Sequence, residues 1–305
     1  MSDLPERLSL REVGPRDGLQ NEDPVPTAAK VALIDALSRT GVGRIEAVSF
    51  VHPDAIPQMA DADEVWRAIT PNPDVRYSAL VPNLRGAGRA LDAGFGEIEV
   101  VVSASDTHNR KNVNRSTEQS LDEIAAIIAQ AHTAGATVQT IVSTAWGCPY
   151  EGDVPVDRVL AVAGRALADG ADTLSYGDTT GMATPSRVTR LVGETRSAHP
   201  DVPLNLHFHN TRGTGLANVL AALELGVSDF DASVGGLGGC PYAPGATGNI
   251  ATEELVHMVE DMGVATGVDL EAMIAAAAEA ERIVGRTLPS QVLRAGPRTR
   301  TISAN

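Results

Sequence analysis

The chain has 305 residues, 43% of them hydrophobic and 21% charged, which suits a soluble-type globular fold with a sizeable core. Its 39 Asp and Glu outnumber 24 Lys and Arg, and the formal charge of −15 argues against nucleic acid or an anionic membrane surface as a partner. MSDLPERLSL lacks the apolar core of a signal peptide, no uncharged run nears the roughly 20 apolar residues that span a bilayer, and two cysteines make no disulfide framework, so a reduced, cytoplasmic setting is expected.

In chain order, the first expected strand begins at Leu8 (LSLREV), and the turn GPRDGLQNE follows it. Thr27–Arg39 carries apolar residues at helical spacing. Strands are expected from Arg44 (RIEAVSF), Val75 (VRYSALV) and Glu97 (EIEVVVSAS), then a helix over Ser116–Ala134. A fifth strand starts at Thr137 (TVQTIVSTA), a helix covers Pro155–Ala168, and a sixth strand starts at Thr173 (TLSYGDT). Thr184–Ala198 opens on Thr-Pro, a capping residue followed by proline where a helix has no use for an amide donor. LNLHFH from Leu204, a helix over Thr214–Leu225 and DFDASVGG from Asp229 complete eight strands alternating with helical segments.

Eight such units in about 260 residues predict an α/β chain folded as a (β/α)8 TIM barrel. The boundaries read as a catalytic barrel over residues 1–267 and a C-terminal helical appendage over 268–305, where LEAMIAAAAEAERIVG is the helix. A doubly wound sheet would favour a glycine-rich phosphate loop after the first strand, and GPRDGLQNE fits neither GxGxxG nor a P-loop.

Barrel enzymes work at the carboxyl ends of their strands, and the notable polar residues fall there. Arg16 and Asp17 follow the first strand in a Gly/Pro turn. His207 and His209 stand two apart on the seventh, so both imidazoles share one face and Phe208 takes the other. GGLGGCPYAPGATGN, from Gly235 to Asn249, is a glycine-rich loop able to close over a ligand, with Cys240 inside it. Glu46, Ser49 and Asp178 lie at further strand ends, while Cys148 in WGCPYEG has no evident chemical neighbour. Asp17, His207 and His209 together form a mixed oxygen and nitrogen set suited to Mg2+ or Mn2+ with positions left for substrate oxygens.

The motifs GPRDGLQNE, RIEAVSFV, KNVN, GCPYEG, HFH and GLGGCPYAPGATGNIATE resemble, in order and spacing, the hydroxymethylglutaryl-CoA lyase family of metal-dependent TIM-barrel enzymes. The resemblance runs from about Leu8 to Gly267 and is carried most specifically by the GLGGCPY loop. It implies cleavage of a 3-hydroxy-3-methylglutaryl-CoA-type thioester to acetyl-CoA and acetoacetate, and an assembly of two or more copies. It further implies that Asp17, His207, His209 and Asn249 hold the metal. Arg16 would stabilise the thioester enolate, His207 and Cys240 would move protons, and Glu46 and Asp178 would support them. Asn112 and Gln20 fall where the family meets its coenzyme A substrate.

The chain departs from animal members of the family at Asn210, where they carry Asp, at Trp146, where they carry a smaller aliphatic residue, and in lacking a C-terminal cysteine. Trp146, read as the end of the fifth strand, is expected to reshape the acyl pocket. Related branched 3-hydroxyacyl-CoA substrates, and the Claisen-type synthases that join an acyl-CoA to a 2-oxo acid, are the alternatives. A Schiff-base aldolase would need a strand lysine, and the two lysines are expected in a helix (Lys30) and a loop (Lys111).

Overall fold

The computed structural model describes residues 4–239 and 247–301. Eight parallel strands close into a barrel, each hydrogen-bonded to the next and the last to the first. They are β1 (Ser9–Glu12), β2 (Arg44–Ser49), β3 (Arg76–Leu80), β4 (Glu97–Ser103), β5 (Thr137–Ser143), β6 (Thr173–Gly177), β7 (Leu204–His207) and β8 (Asp229–Ala232). The helices, in chain order, are α1 (Thr27–Leu37), α2 (Ala62–Ala68), α3 (Leu84–Asp92), α4 (Asp106–Val113), α5 (Thr117–Thr133) and α6 (Val156–Ala168). Then come α7 (Pro185–Ala198), α8 (Gly215–Leu223), α9 (Thr252–Asp261), α10 (Leu270–Val284) and α11 (Gln291–Ala295). The expected TIM barrel is therefore the fold.

The strands alternate in chemistry. Ile45, Ile98, Val138, Leu174, Leu206 and Phe230 are fully buried members of the apolar core. Their in-strand neighbours Glu46, Glu99, Gln139, Ser175, Asn205 and Asp231, with Arg11 on β1, are buried too, yet polar or charged. Since successive strand side chains point to opposite faces, one face builds the apolar layer under the helices and the other fills the barrel with hydrogen-bonding groups.

Helix α4 corrects one expectation. Lys111 is not in a loop but on this helix, together with Asn112. The segment DTHNRKNV has no apolar stripe, and its ends specify it instead. The Ser105 hydroxyl accepts a hydrogen bond from the His108 amide at one end, and Asn114 adopts φ 56° at the other. Next to it, α5 begins with a reciprocal cap in which Ser116 and Gln119 each accept from the other's amide. Beyond the barrel, α10 lies against α1 and α9, and Arg286 pairs with Glu22 at the end of the turn after β1. Among the described residues no helix is long and apolar enough to cross a membrane.

Candidate active site

The site begins with the turn after β1. The amides of Arg16, Asp17 and Gly18 all reach the Val13 carbonyl, at 3.2, 2.8 and 3.1 Å. This wide single turn wraps the backbone tightly and throws consecutive side chains toward the barrel mouth. Gly14 is needed there, because a Cβ would come within 2.7 Å of a Glu12 carboxylate oxygen. That Glu12 carboxylate in turn accepts hydrogen bonds from the amides of Gly14 and Val234 and from the Thr252 hydroxyl, joining β1 to the start of the glycine-rich loop and to α9.

Asp17 receives donors on both oxygens. Oδ1 accepts from Arg16 Nη1 and Gln20 Nε2, both at 2.8 Å, and Oδ2 accepts from Asn249 Nδ2 at 2.7 Å. His207 Nε2 lies 4.0 Å from Asp17 Oδ2. The His207 and His209 rings stand 5.2 Å apart, centre to centre. One ligand atom from each of Asp17, His207 and His209 lies within 4.8 Å of the others, the spacing a single cation can span. His209 and Asn249 face each other across a short antiparallel bridge, and another joins Gly239 to Thr247, so both ends of the glycine-rich loop are tied down. Gly238, at φ 111°, leaves no room for a Cβ, which would sit 2.7 Å from Asn249 Nδ2.

The donor set fits a divalent ion. Nδ1 of His209 and Oδ1 of Asn249 are buried without a hydrogen-bond partner among the described residues. Burial would raise the Asp17 pKa, but Arg16, His207, His209 and the Asn249 amide outweigh it and hold the carboxyl at about 2. Burial, with the neighbouring His207 charge, drives His209 down to about 3. One ligand is thus ionised and the other neutral near pH 7, the states that metal binding requires.

Arg16 is 7% exposed, and its fork bridges two carboxylates. Nη1 bonds Asp17, while Nε sits 2.7 Å from Glu46 Oε1 as an ion pair off the line of a hydrogen bond. Glu46 is fully buried, and burial together with Glu99 pushes its pKa up against the pull of Arg16.

A family model described as HMGL-like matches residues 7–279. Hydroxymethylglutaryl-CoA lyase YngG of Bacillus subtilis is 46% identical over 291 residues, 95% of this chain and 97% of that protein. The chain belongs to the HMGL-like family. The (R)-citramalyl-CoA lyase of Chloroflexus aurantiacus is 44% identical, with 96% of each chain covered. The crystal structure of the Bacillus subtilis lyase superposes with a TM-score of 0.94, covering 96% of this chain and 98% of that one. An Acinetobacter baumannii HMG-CoA lyase, solved with coenzyme A and 3-methylmalate, also gives 0.94 at 44% identity with full coverage of both chains.

Within this HMGL-like lyase, sequence reasoning named Arg16, Asp17, Gln20, Glu46, His207, His209 and Asn249, and the fold brings all seven to one end of the barrel. Gln20 spends its amide on the Arg16–Asp17 pair, donating to Asp17 and lying 3.4 Å from Arg16 Nη1. Asn112 stands apart, exposed on α4. Asp178 caps the loop after β6, where Oδ1 accepts from the amides of Met182 and Ala183. Cys240 lies outside the described residues. Cys148 is buried 3.0 Å from the Ser105 hydroxyl, at the base of α4. Missed altogether were Arg11, Glu12, Glu99 and Asp231. Their signal was present, since TIM barrels normally fill with branched apolar side chains, and charges at every second strand position (EIE at 97–99, DFD at 229–231) break that habit.

Trp146 is the other correction. It does not face the barrel mouth. β5 ends three residues earlier, and the indole is buried against Tyr176 and Phe208, with its N–H 3.3 Å from the Arg187 carbonyl. Tyr176 reaches outward to Thr195 on α7, so Trp146 packs between barrel and helices. Trp146→Leu is accordingly expected to cost about 1–3 kcal/mol of stability by leaving a cavity. Relative rates across a panel of acyl-CoA substrates should stay unchanged. Thermal melts and the panel check this, and a switch in substrate preference at unaltered stability would contradict it.

Proposed function

We propose that this chain cleaves a 3-hydroxy-3-methylglutaryl-CoA-type thioester to acetyl-CoA and acetoacetate, using Mg2+ or Mn2+ held by Asp17, His207 and His209, with Asn249 as a further oxygen donor. The observation that carries this reading is the convergence of the Asp17, His207 and His209 ligand atoms within 4.8 Å beside the fixed Arg16 fork. When bound, the cation supplies Lewis acidity toward the substrate hydroxyl and carboxylate.

The chain's own residues do the rest. Breaking C2–C3 of the tertiary alcohol requires loss of the hydroxyl proton and leaves a thioester enolate. Arg16 offers a planar cation to the oxygen that gains this charge, and Glu46 and Asp17 fix its plane from both sides. His207 is proposed to take the hydroxyl proton at Nε2, the nitrogen on the side of Asp17, when that nitrogen is not on the cation. Cys240, within the glycine-rich sequence after β8, is proposed to protonate the enolate carbon, giving acetyl-CoA. Asn112 on α4 and Gln20 beside Arg16 are proposed to meet the coenzyme A portion.

The Chloroflexus relative is named for citramalyl-CoA at nearly the same identity as the Bacillus one is named for hydroxymethylglutaryl-CoA. Both thioesters present a tertiary hydroxyl and a carboxylate, so the acyl chain is the open variable. Mass spectrometry of products from a panel of 3-hydroxyacyl-CoAs decides it, with acetyl-CoA and acetoacetate from the methylglutaryl substrate as the expected result. Chelation should abolish turnover and Mg2+ or Mn2+ restore it. Full activity in protein shown by elemental analysis to be metal-free would sink the assignment.

A further inference from the structure

The charged interior of the barrel is one connected ring. His207 Nδ1 lies 3.2 Å from Asp231 Oδ2. Asp231 is held by Arg11, whose Nε and Nη2 donate to its two oxygens at 2.9 and 2.8 Å, and by Asn205 Nδ2 at 3.0 Å. Arg11 Nη1 meets Glu99 at 2.5 Å and Gln139 at 3.1 Å. Glu99 faces Glu46, Glu46 pairs with Arg16, and Arg16 bonds Asp17, which stands 4.0 Å from His207 Nε2. Six elements, β1, β2, β4, β7, β8 and the turn after β1, contribute to this circuit, and among the described residues Asp231 is the partner of the inner nitrogen of His207.

We propose that Asp231, clamped by Arg11, is a positioning residue that sets the tautomer of His207. The argument rests on the reading of His207 as a metal ligand. A neutral imidazole carries one proton, and the nitrogen bearing it cannot bind a cation. Asp231 is buried, and three donors from Arg11 and Asn205 already point at its carboxylate, which holds its oxygens as acceptors. An ionised acceptor at Nδ1 draws the proton there and leaves the Nε2 lone pair facing Asp17 and His209. The same bond fixes the ring's rotation. Arg11 makes this possible, because its two parallel bonds hold the carboxylate in one plane and offset the cost of burying its charge. A carboxylate or carbonyl behind a ligating histidine is a general device of metal sites, and its removal typically costs 10–100-fold in metal affinity.

Asp231→Asn tests this with little change of volume, and Arg11 keeps Glu99 as an ion-pair partner. The first readout is the imidazole 15N spectrum of metal-free protein, taken alkaline enough that His207 is neutral, with the His207 signals assigned by their loss in His207→Gln. The wild type should show His207 protonated at Nδ1, and Asp231→Asn should lose that preference. The second readout is Mn2+ affinity, expected to weaken by about 10–100-fold while circular dichroism stays native. If Asp231→Asn does not fold, the wild-type spectrum alone decides. His207 protonated at Nε2 in a wild type that binds Mn2+, or an unchanged tautomer and affinity in Asp231→Asn, overturns the assignment and leaves the functional reading standing. A wild type that binds no Mn2+ overturns both.

Discussion

Arg16→Lys is expected to lower kcat by about 10²–10³ while metal affinity moves less than about tenfold. The guanidinium makes two close contacts at once, a hydrogen bond from Nη1 to Asp17 at 2.8 Å and an ion pair of Nε with Glu46 at 2.7 Å, and this double anchorage holds its plane. An ammonium has the charge but one nitrogen, so it can satisfy one carboxylate or the other and offers no planar fork to the thioester oxygen. Glu46 suffers most, because it is fully buried and Arg16 is its ion-pair partner. Asp17 suffers least, since Gln20 at 2.8 Å and Asn249 at 2.7 Å still donate to it. The lost interaction belongs to charge that develops during bond cleavage, so kcat should fall more than KM rises. Steady-state kinetics with calorimetric metal binding checks this. Loss of the metal with per-metal turnover preserved would show that Arg16 merely props up Asp17.

Asp17→Asn should be the most damaging substitution at the site, raising the Kd for Mn2+ by more than about 100-fold and taking turnover to background. Asp17 is the one anion in the proposed ligand set, since His209 is neutral and Asn249 offers a carbonyl oxygen. Every group that touches its carboxylate is a donor: Arg16, Gln20 and Asn249. An amide nitrogen at either oxygen position would therefore point hydrogens at hydrogens, adding an unpaired buried donor to the lost charge. Electron paramagnetic resonance of Mn2+ titrated into the variant measures the affinity, and a thermal melt confirms the fold. A variant that binds Mn2+ within threefold of wild type would remove Asp17 from the ligand set.

The sequence by itself determined the strand order, because apolar runs of four to seven residues separated by capped helices leave few foldings other than a barrel. The spacing of His207 and His209 also put both imidazoles on one side, although β7 ends at His207 and His209 holds its place through a bridge to Asn249. The neighbourhood of Arg16 and Asp17 was legible for a similar reason, as Gly14 and Pro15 force a turn whatever lies across from it. Trp146 shows where this kind of reasoning stops. Three residues past the end of β5 the strand period no longer holds, and only packing against Tyr176 and Phe208 turned the indole outward. Helix α4 was hidden because it lacks an apolar stripe and is specified by its caps. The interior ring was furthest from view. Arg11 and Asp231 lie 220 residues apart, and a buried charge in a strand looks like an error until the partner that neutralises it is known. Barrel closure makes β8 the neighbour of β1, and that closure alone brought the two together behind His207.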